Sequence, residues 1–137
     1  MASIRATNTK PEKQIRCGLH RLGYRYRLND KLLPGKPDLV FPKYNAVVFV
    51  HGCFWHRHEC HLFKWPETRM TFWRDKLNGN AERDRRVRKE LKASGWRVCV
   101  VWECSMKGKR KHSLDELFSR CSAWLTSDAT NLEISGR

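Results

Sequence analysis

Apolar positions recur at two different periods along this chain, and the change of period separates helical from extended segments. Thr9-Lys10-Pro11-Glu12 has the form of a capping box at a helix start. Apolar residues follow it at helical spacing, at Ile15, Leu19 and Leu22. The pattern predicts a first helix over residues 10–22.

Extended segments follow this helix. Apolar and basic residues alternate over residues 24–28, as they do in a half-buried strand. Turn residues at 33–37 lead into an apolar segment at 38–41, and a second turn leads into the continuous apolar run at 46–50. We expect these last two segments to be paired strands. Regular periodicity ends at His51.

The second half of the chain returns to the helical period. Residues 68–78 can be helical, and Asn80 can cap a further helical segment that ends near residue 94. An apolar strand is predicted over residues 96–102, and Ser113 opens a second capping box and a final helix. One mixed sheet flanked by helices accommodates this order, which predicts a single α/β domain over residues 1–125. Residues 126–137 are predicted to form a flexible tail.

The net charge of the chain indicates which class of molecule it binds. The 28 Lys and Arg residues exceed the 14 Asp and Glu residues, and the formal net charge is +14. So basic a surface attracts polyanions, and nucleic acid is the leading candidate; sequence-independent binding explains the charge equally well. No apolar run reaches the roughly 18 residues of a membrane span, and the start has no secretory pattern. We therefore expect a cytoplasmic protein without a membrane partner.

A short irregular segment supplies the ligand types that zinc favours. Its three candidate ligands are Cys53, His58 and Cys60. The preferred fourth is Cys104, because the strand before it can end beside the strand 46–50; His56 and His61 are rival ligands. The alternative is that these are ordinary core cysteines and surface histidines. The remaining cysteines fall on apolar faces and are predicted to be buried, at Cys17, Cys99 and Cys121.

A second group of residues suits phosphodiester hydrolysis. This chemistry needs a hard cation, a carboxylate to hold it and a group that activates water. Asp38 opens a strand after a turn and can supply the carboxylate, while His51 and His56 can transfer protons near neutral pH. Taken alone, Asp38 is equally well explained as a turn residue, and His51 is more often structural.

Six segments closely resemble the very short patch repair (Vsr) endonucleases. They are LPGKPD at 33–38, VHGCFWHRHEC at 50–60, FW at 72–73, NAERDR at 80–85, GWRV at 95–98 and VWEC at 101–104. The resemblance covers about residues 1–109. The HGCFWHxHxC pattern is highly specific, because it combines candidate zinc ligands, a candidate base and two adjacent aromatic residues within ten positions.

The resemblance implies a restriction-endonuclease-like core that is a variant of the PD-(D/E)xK nucleases. Pro37 and Asp38 keep the first half of that motif; its usual acidic position falls on Phe49 and its usual lysine on His51. The implied activity is magnesium-dependent nicking of duplex DNA beside the thymine of a T:G mismatch, which arises when 5-methylcytosine is deaminated. Asp38 and the Val50 carbonyl would hold the magnesium, although the family often has Thr where this chain has Val50.

The same resemblance assigns the other site residues. It places His51, His56 and Glu12 in the active site, with His56 oriented by Glu12 to activate water, and it makes Cys53, His58, Cys60 and Cys104 the ligands of a structural zinc. It makes Phe54, Trp55 and Trp73 a wedge inserted beside the mismatch, because a mismatched base-pair step costs less to unstack. The alternative is that these aromatics belong to the core. Contacts to the mismatch region are implied for Lys76 and Asn80, and Met1 and Ile4 match an N-terminal segment that approaches the DNA from the opposite groove.

These implications leave two other functions open. One is a catalytically weak protein that binds mismatched or duplex DNA, and the other is a restriction endonuclease that cuts fully paired DNA. We expect a monomer in the bacterial cytoplasm, associated with the nucleoid, with mismatch-repair proteins as further partners.

Overall fold

The computed structural model describes residues 9–137. Three α-helices and five strands make up the regular structure. The helices are α1 (Lys10–Arg21), α2 (Met70–Ala93) and α3 (Leu114–Leu125), and the strands are β1 (Arg27–Leu28), β2 (Leu39–Phe41), β3 (Ala46–His51), β4 (Arg97–Trp102) and β5 (Asn131–Ile134). Across these residues, no helix combines the length and apolar character that crossing a membrane requires.

The strands form one mixed sheet in the order β1-β2-β3-β4-β5. β2 is antiparallel to both of its neighbours, whereas β3, β4 and β5 run parallel. The register of β3 with β4 places His51 opposite Trp102. The segments that follow these two strands therefore lie side by side, beyond the C-terminal ends of β3 and β4.

Helices cover both faces of the sheet, because alternate residues of the central strands point to opposite sides. Ala46 and Val48 belong to the core that α1 and α3 complete. Val47 and Phe49 belong to the core on the other face, which Leu91 of α2 and the buried cysteines Cys53 and Cys104 complete. The predicted α/β architecture, a mixed sheet flanked by helices, is confirmed.

Thr9 and Ser113 cap the helices that the sequence predicts to begin after them. The Thr9 hydroxyl accepts from the Glu12 backbone N–H at the start of α1, and the Ser113 hydroxyl accepts from the Glu116 N–H at the start of α3. Residues 68–78 and 80–94 are not separate helices, because α2 continues through Gly79 and Asn80. The Asn80 side chain caps nothing there; its amide instead donates to the Trp55 carbonyl at 3.0 Å.

The C-terminal tail is more ordered than predicted. Asn131–Ile134 pair in parallel with β4 as the fifth strand, and Ile134 is fully buried. The tail is polar, so its pattern alone gave little sign of a strand; the free edge of β4 supplies the backbone partners. One cysteine also departs from expectation: Cys99 and Cys121 are buried, but Cys17 is exposed.

Candidate active site and metal centre

Two clusters of polar side chains lie where β3 and β4 end. The loop after β3 carries the segment 52–60, and the 3₁₀ turn Glu103–Ser105 follows β4 directly. Because the two strands are parallel and in register, this loop and this turn are neighbours. The turn is also tied to the loop, since a Glu103 carboxylate oxygen accepts from the Cys53 N–H at 3.2 Å.

The first cluster, here the Cys/His cluster, consists of Cys53, His58, Cys60 and Cys104. One ligand atom from each residue lies within 4.8 Å of the others. The His58 Nδ1 lies 3.5 Å from the Cys53 Sγ and 3.6 Å from the Cys104 Sγ. The four candidate zinc ligands therefore meet in the fold, whereas the rival His56 lies in the second cluster and His61 is exposed.

The surroundings of the Cys/His cluster suit thiolates that a cation stabilises. Burial raises the pKa of the Cys53 and Cys104 thiols, so without a cation both stay protonated. Backbone N–H groups point at both sulfurs: Cys104 N donates to the Cys53 Sγ at 3.3 Å, and Gly136 N donates to the Cys104 Sγ at 3.2 Å. Three thiols and one imidazole form a donor set that zinc favours, and the residues present fit that metal.

The second cluster lines a cleft of about 800 Å³ beside the first. We call it the active-site cleft, and its ionisable residues include Glu12, Asp38, His51, His56, Asp84 and Glu103. They come from α1, the start of β2, the end of β3, the loop after it, α2 and the turn after β4. The fold thus gathers into one cleft residues that lie up to 91 positions apart, from Glu12 to Glu103.

Asp38 and Glu12 form a buried acidic pair. An Asp38 carboxylate oxygen accepts from the Val50 backbone N–H at 2.7 Å. Burial raises the pKa of Asp38 to about 7; the Val50 N–H acts in the opposite direction, and the neighbouring Glu12 raises the pKa further. Glu12 is 1% exposed and accepts from the Arg16 guanidinium at 3.1 Å. A cation bound here would offset the cost of burying the two carboxylates together, so this pair fits a hard divalent ion.

His51 and His56 stack face to face. Their ring centroids lie 3.7 Å apart and the ring planes differ by 6°. Burial lowers the pKa of His51 well below its ordinary value, and the nearby His56 and Arg88 act in the same direction. His51 is therefore a neutral imidazole near pH 7. Among the described residues, its buried Nδ1 has no hydrogen-bond partner.

Asp84 on α2 orients His56. The His56 Nδ1 lies 2.5 Å from an Asp84 carboxylate oxygen, which fixes the proton on Nδ1 and leaves Nε2 as the proton acceptor. The sequence interpretation gave this orienting role to Glu12, but Glu12 lies beside Asp38 and the partner of His56 is Asp84. Asp84 stands within the segment NAERDR, in which no catalytic residue was predicted from the sequence.

Ligand atoms of His51, His56 and Asp84 also come within 4.8 Å of one another. Nitrogen lone pairs lie in the plane of an imidazole ring, so two nearly parallel stacked rings cannot aim theirs at one ion between them. The close Asp84–His56 contact is also that of a hydrogen bond. This trio therefore suits proton transfer better than metal binding.

The three predicted wedge residues form one surface cluster. The Phe54 ring lies 5.2 Å from the Trp55 ring and 5.5 Å from the Trp73 ring, and the Trp55 and Trp73 rings are 5.7 Å apart. All three side chains are half-buried and belong to neither hydrophobic core. The alternative that they fill the core is therefore wrong. The loop that carries two of them is tied to α2 through the Trp55 carbonyl and Asn80.

The other residues assigned to DNA are placed differently. Lys76 is exposed on α2, one turn after Trp73. The Asn80 side chain is already engaged, because its Oδ1 accepts from the Arg83 guanidinium at 3.3 Å while its amide holds the Trp55 carbonyl. Met1 and Ile4 lie outside the described residues.

Comparison with known proteins places these clusters in context. Residues 1–62 match the model of a family described as DNA mismatch endonuclease Vsr. The DNA mismatch endonuclease Vsr of Escherichia coli is 42% identical over 134 residues, which are 98% of this chain and 86% of that protein. The type II nicking enzyme V.XorIIP of Xanthomonas oryzae is 50% identical, over 77% of this chain and 78% of that enzyme. The type II nicking enzyme V.NmeAIP of Neisseria meningitidis is 47% identical, over 80% and 78%.

Proposed function

This chain belongs to the Vsr family of DNA mismatch endonucleases, and we propose that it nicks duplex DNA beside the thymine of a T:G mismatch by magnesium-dependent hydrolysis. The similarity to the Escherichia coli enzyme extends over nearly the whole chain. The net charge of +14 suits a DNA substrate.

One observation carries this proposal: a buried acidic pair and an oriented histidine share a single cleft. The neighbouring carboxylates of Asp38 and Glu12 line the cleft together with the Asp84–His56 pair, and His51 is stacked on His56. Phosphodiester hydrolysis requires both a site for a hard cation and a base for water. A protein that only binds DNA would need neither.

Asp38 and the Val50 carbonyl are the proposed ligands for magnesium, with Glu12 beside them. When bound, the ion would neutralise charge that develops on the scissile phosphate. Two features of Asp38 support its role as a magnesium ligand. The Val50 N–H fixes its carboxylate, and its raised pKa means that binding a cation displaces a proton near neutral pH.

His56 is the proposed general base. Asp84 holds the His56 Nδ1 proton, so Nε2 can take a proton from the attacking water, and the same carboxylate stabilises the imidazolium that forms. His51 occupies the position of the lysine in other nucleases of this fold, but it is neutral. We propose that it donates a hydrogen bond to the scissile phosphate rather than a permanent positive charge.

The Cys/His cluster is the proposed site of one structural zinc. Four protein ligands leave no open position on a tetrahedral ion, so this metal would hold the loop instead of taking part in hydrolysis. The loop carries His56, Phe54 and Trp55. Fixing it would place the base in the cleft and the aromatic wedge, with Trp73, against a mismatched step that is cheap to unstack. Lys76, Asn80, Met1 and Ile4 are proposed to contact DNA nearby.

A strand-resolved nicking assay tests the proposal. Two duplexes that differ only in one base, T:G against C:G, are incubated with the zinc-loaded protein, with magnesium or with EDTA, and each strand is labelled separately. We expect one nick, beside the mismatched thymine, only in the T:G duplex with magnesium. No strand-specific nick in the T:G duplex under any of these conditions would overturn the repair function.

Nicking of fully paired DNA is the second candidate function. The names of the Xanthomonas and Neisseria relatives leave room for it, because both are called type II nicking enzymes and neither name mentions a mismatch. The C:G duplex of the same assay, together with mismatch-free plasmid DNA, separates the two functions. Equal nicking of T:G and C:G duplexes would favour this candidate, and cleavage of both plasmid strands would indicate a restriction endonuclease. A monomeric state and mismatch-repair partners stay predictions.

A further inference from the structure

We propose that Glu133 on β5 is a positioning residue of the metal centre, which it stabilises by holding the Trp102 ring flat against His58. The inference rests on the proposal that the Cys/His cluster binds zinc. It extends the metal centre to side chains of the C-terminal strand, a part of the chain in which no candidate site residue was predicted from the sequence.

Trp102 connects β5 to the Cys/His cluster. Its indole N–H donates to a Glu133 carboxylate oxygen at 2.6 Å, and its ring stacks on His58 with centroids 4.0 Å apart and planes within 7°. The ring also meets His51 edge-on, at 5.3 Å between centroids. Trp102 is 5% exposed and Glu133 is exposed, so the hydrogen bond joins a buried ring to a carboxylate at the surface. A buried indole N–H usually has a hydrogen-bond partner, and Glu133 provides it.

This arrangement restricts the orientation of a zinc ligand. An imidazole binds an ion along a direction in its own plane, so a flat neighbour that prevents the ring from tilting also fixes the direction of its lone pair. The Glu133 hydrogen bond prevents the Trp102 indole from rotating away from His58. An oxygen acceptor at this position is what the indole N–H requires.

A second contact from the same segment reaches the cluster directly. The Gly136 N–H donates to the Cys104 Sγ at 3.2 Å, two residues after β5 ends. A side chain at Gly136 would meet the Cys104 carbonyl at 3.0 Å and Arg110 Cβ at 3.1 Å, so the backbone approaches the turn closely. Glu133 and Gly136 thus support two different ligands of the cluster, His58 and Cys104.

Zinc release measures the proposed role. The zinc-loaded full chain is mixed with excess of a chromophoric chelator, and the release rate is followed for wild type, Glu133→Ala and Glu133→Gln. Loss of an outer-shell partner typically weakens metal binding by about 10-fold or more, so we expect Glu133→Ala to release zinc about 10-fold faster. Glu133→Gln keeps an oxygen acceptor and should stay within about twofold of wild type.

Two controls make the result specific. Asn131 is exposed on the same face of β5, and no side-chain hydrogen bond of Asn131 is present among the described residues, so Asn131→Ala should release zinc at the wild-type rate. Trp102→Phe lacks the indole N–H and should release zinc as Glu133→Ala does, with no further increase when the two are combined. Cobalt substituted for zinc should show ligand-field bands that shift in Glu133→Ala but not in Glu133→Gln.

The outcomes separate this inference from the function on which it rests. If wild type takes up neither zinc nor cobalt, both the metal centre and this role of Glu133 are wrong. If wild type binds one zinc but Glu133→Ala releases it at the wild-type rate, the metal centre stands and the inference fails. Release from Glu133→Gln as fast as from Glu133→Ala would also overturn it, because charge rather than the hydrogen bond would then matter.

Discussion

The Cys/His cluster and the active-site cleft are neighbours in the fold, and Cys53 of the first lies only two residues after His51 of the second, but they are built in opposite ways. Three of the four members of the Cys/His cluster lie within eight consecutive residues, and only Cys104 comes from elsewhere. The cleft takes its ionisable residues from helices, strands and loops across the fold. The first cluster is therefore mostly local in sequence, and the second is almost entirely tertiary.

The Cys/His cluster and the active-site cleft also differ in the chemistry of their side chains. Sulfur and imidazole donors converge in the Cys/His cluster, as a tetrahedral ion requires. The cleft instead contains a buried acidic pair and two stacked histidines whose lone pairs do not converge. Convergent donors suit an ion that holds structure, whereas a carboxylate pair together with an oriented base suits chemistry on a bound phosphate. Variants of each region should therefore fail differently.

Removing a ligand of the Cys/His cluster should have the largest effect, because both structure and activity depend on it. We expect Cys104→Ser to lose its zinc, to lower the Tm by roughly 10 °C and to abolish nicking. Metal analysis and thermal unfolding of the same preparation check this. Cys17→Ser is the matched control, since Cys17 is exposed and lies outside the cluster. One zinc per chain and a wild-type Tm in Cys104→Ser would contradict the assignment.

Removing the carboxylate of Asp38 should separate chemistry from structure. Asp38→Asn keeps the shape of the side chain but loses the charge that a cation needs, and we expect nicking of the T:G duplex to fall on the order of 10³-fold. Binding of that duplex, measured by fluorescence anisotropy, should change little, and the zinc content should not change. The control is Asp128→Asn, an exposed aspartate after α3. Nicking at the wild-type rate would remove Asp38 from the mechanism.

The Asp84–His56 pair should behave as one unit. We expect His56→Ala and Asp84→Asn each to lower the single-turnover nicking rate about 10²-fold, and the double variant to be no slower than His56→Ala alone. Asp75→Asn provides a control on the same helix, because Asp75 is exposed on α2. Independent effects that multiply in the double variant would show that Asp84 does not act through His56.

The smallest expected effect is a pH dependence of stability without magnesium. The pKa of Asp38 is about 7 in the folded chain, above the value near 4 of an unfolded aspartate. The stability that its protonated form contributes is complete below about pH 4 and is lost as the pH rises through about 7. The difference in unfolding free energy between wild type and Asp38→Asn should therefore fall from pH 5 to 8, by at most about 1.4 kcal/mol per pH unit.

Urea unfolding of the zinc-loaded protein at several pH values measures that difference. His51 titrates in both variants, so its contribution largely cancels. A flat difference across this range would mean that Asp38 is already ionised in the folded chain. The cleft would then hold its acidic pair without the proton that magnesium is proposed to displace.

Local features of this protein could be predicted from residue type and spacing along the chain. Capping boxes at Thr9 and Ser113 fixed where two helices begin, because a cap and its partner lie three residues apart. Continuous apolar runs located β3 and β4. The ligand-rich segment 53–60 pointed to a metal centre, since zinc ligands are recognisable by residue type and spacing.

Contacts between residues that lie far apart in the chain became apparent only in the tertiary structure. Asp84 lies 28 residues after His56 in the chain. It is the partner of His56 because α2 runs unbroken past Gly79 and lines the cleft. Asn131–Ile134 became a strand because β4 offered an unpaired edge, although its own residues are mostly polar. Hydrogen bonds and packing between distant segments leave no periodic pattern in either segment alone. The sequence therefore indicated most of the residues of the site but not which of them contact one another.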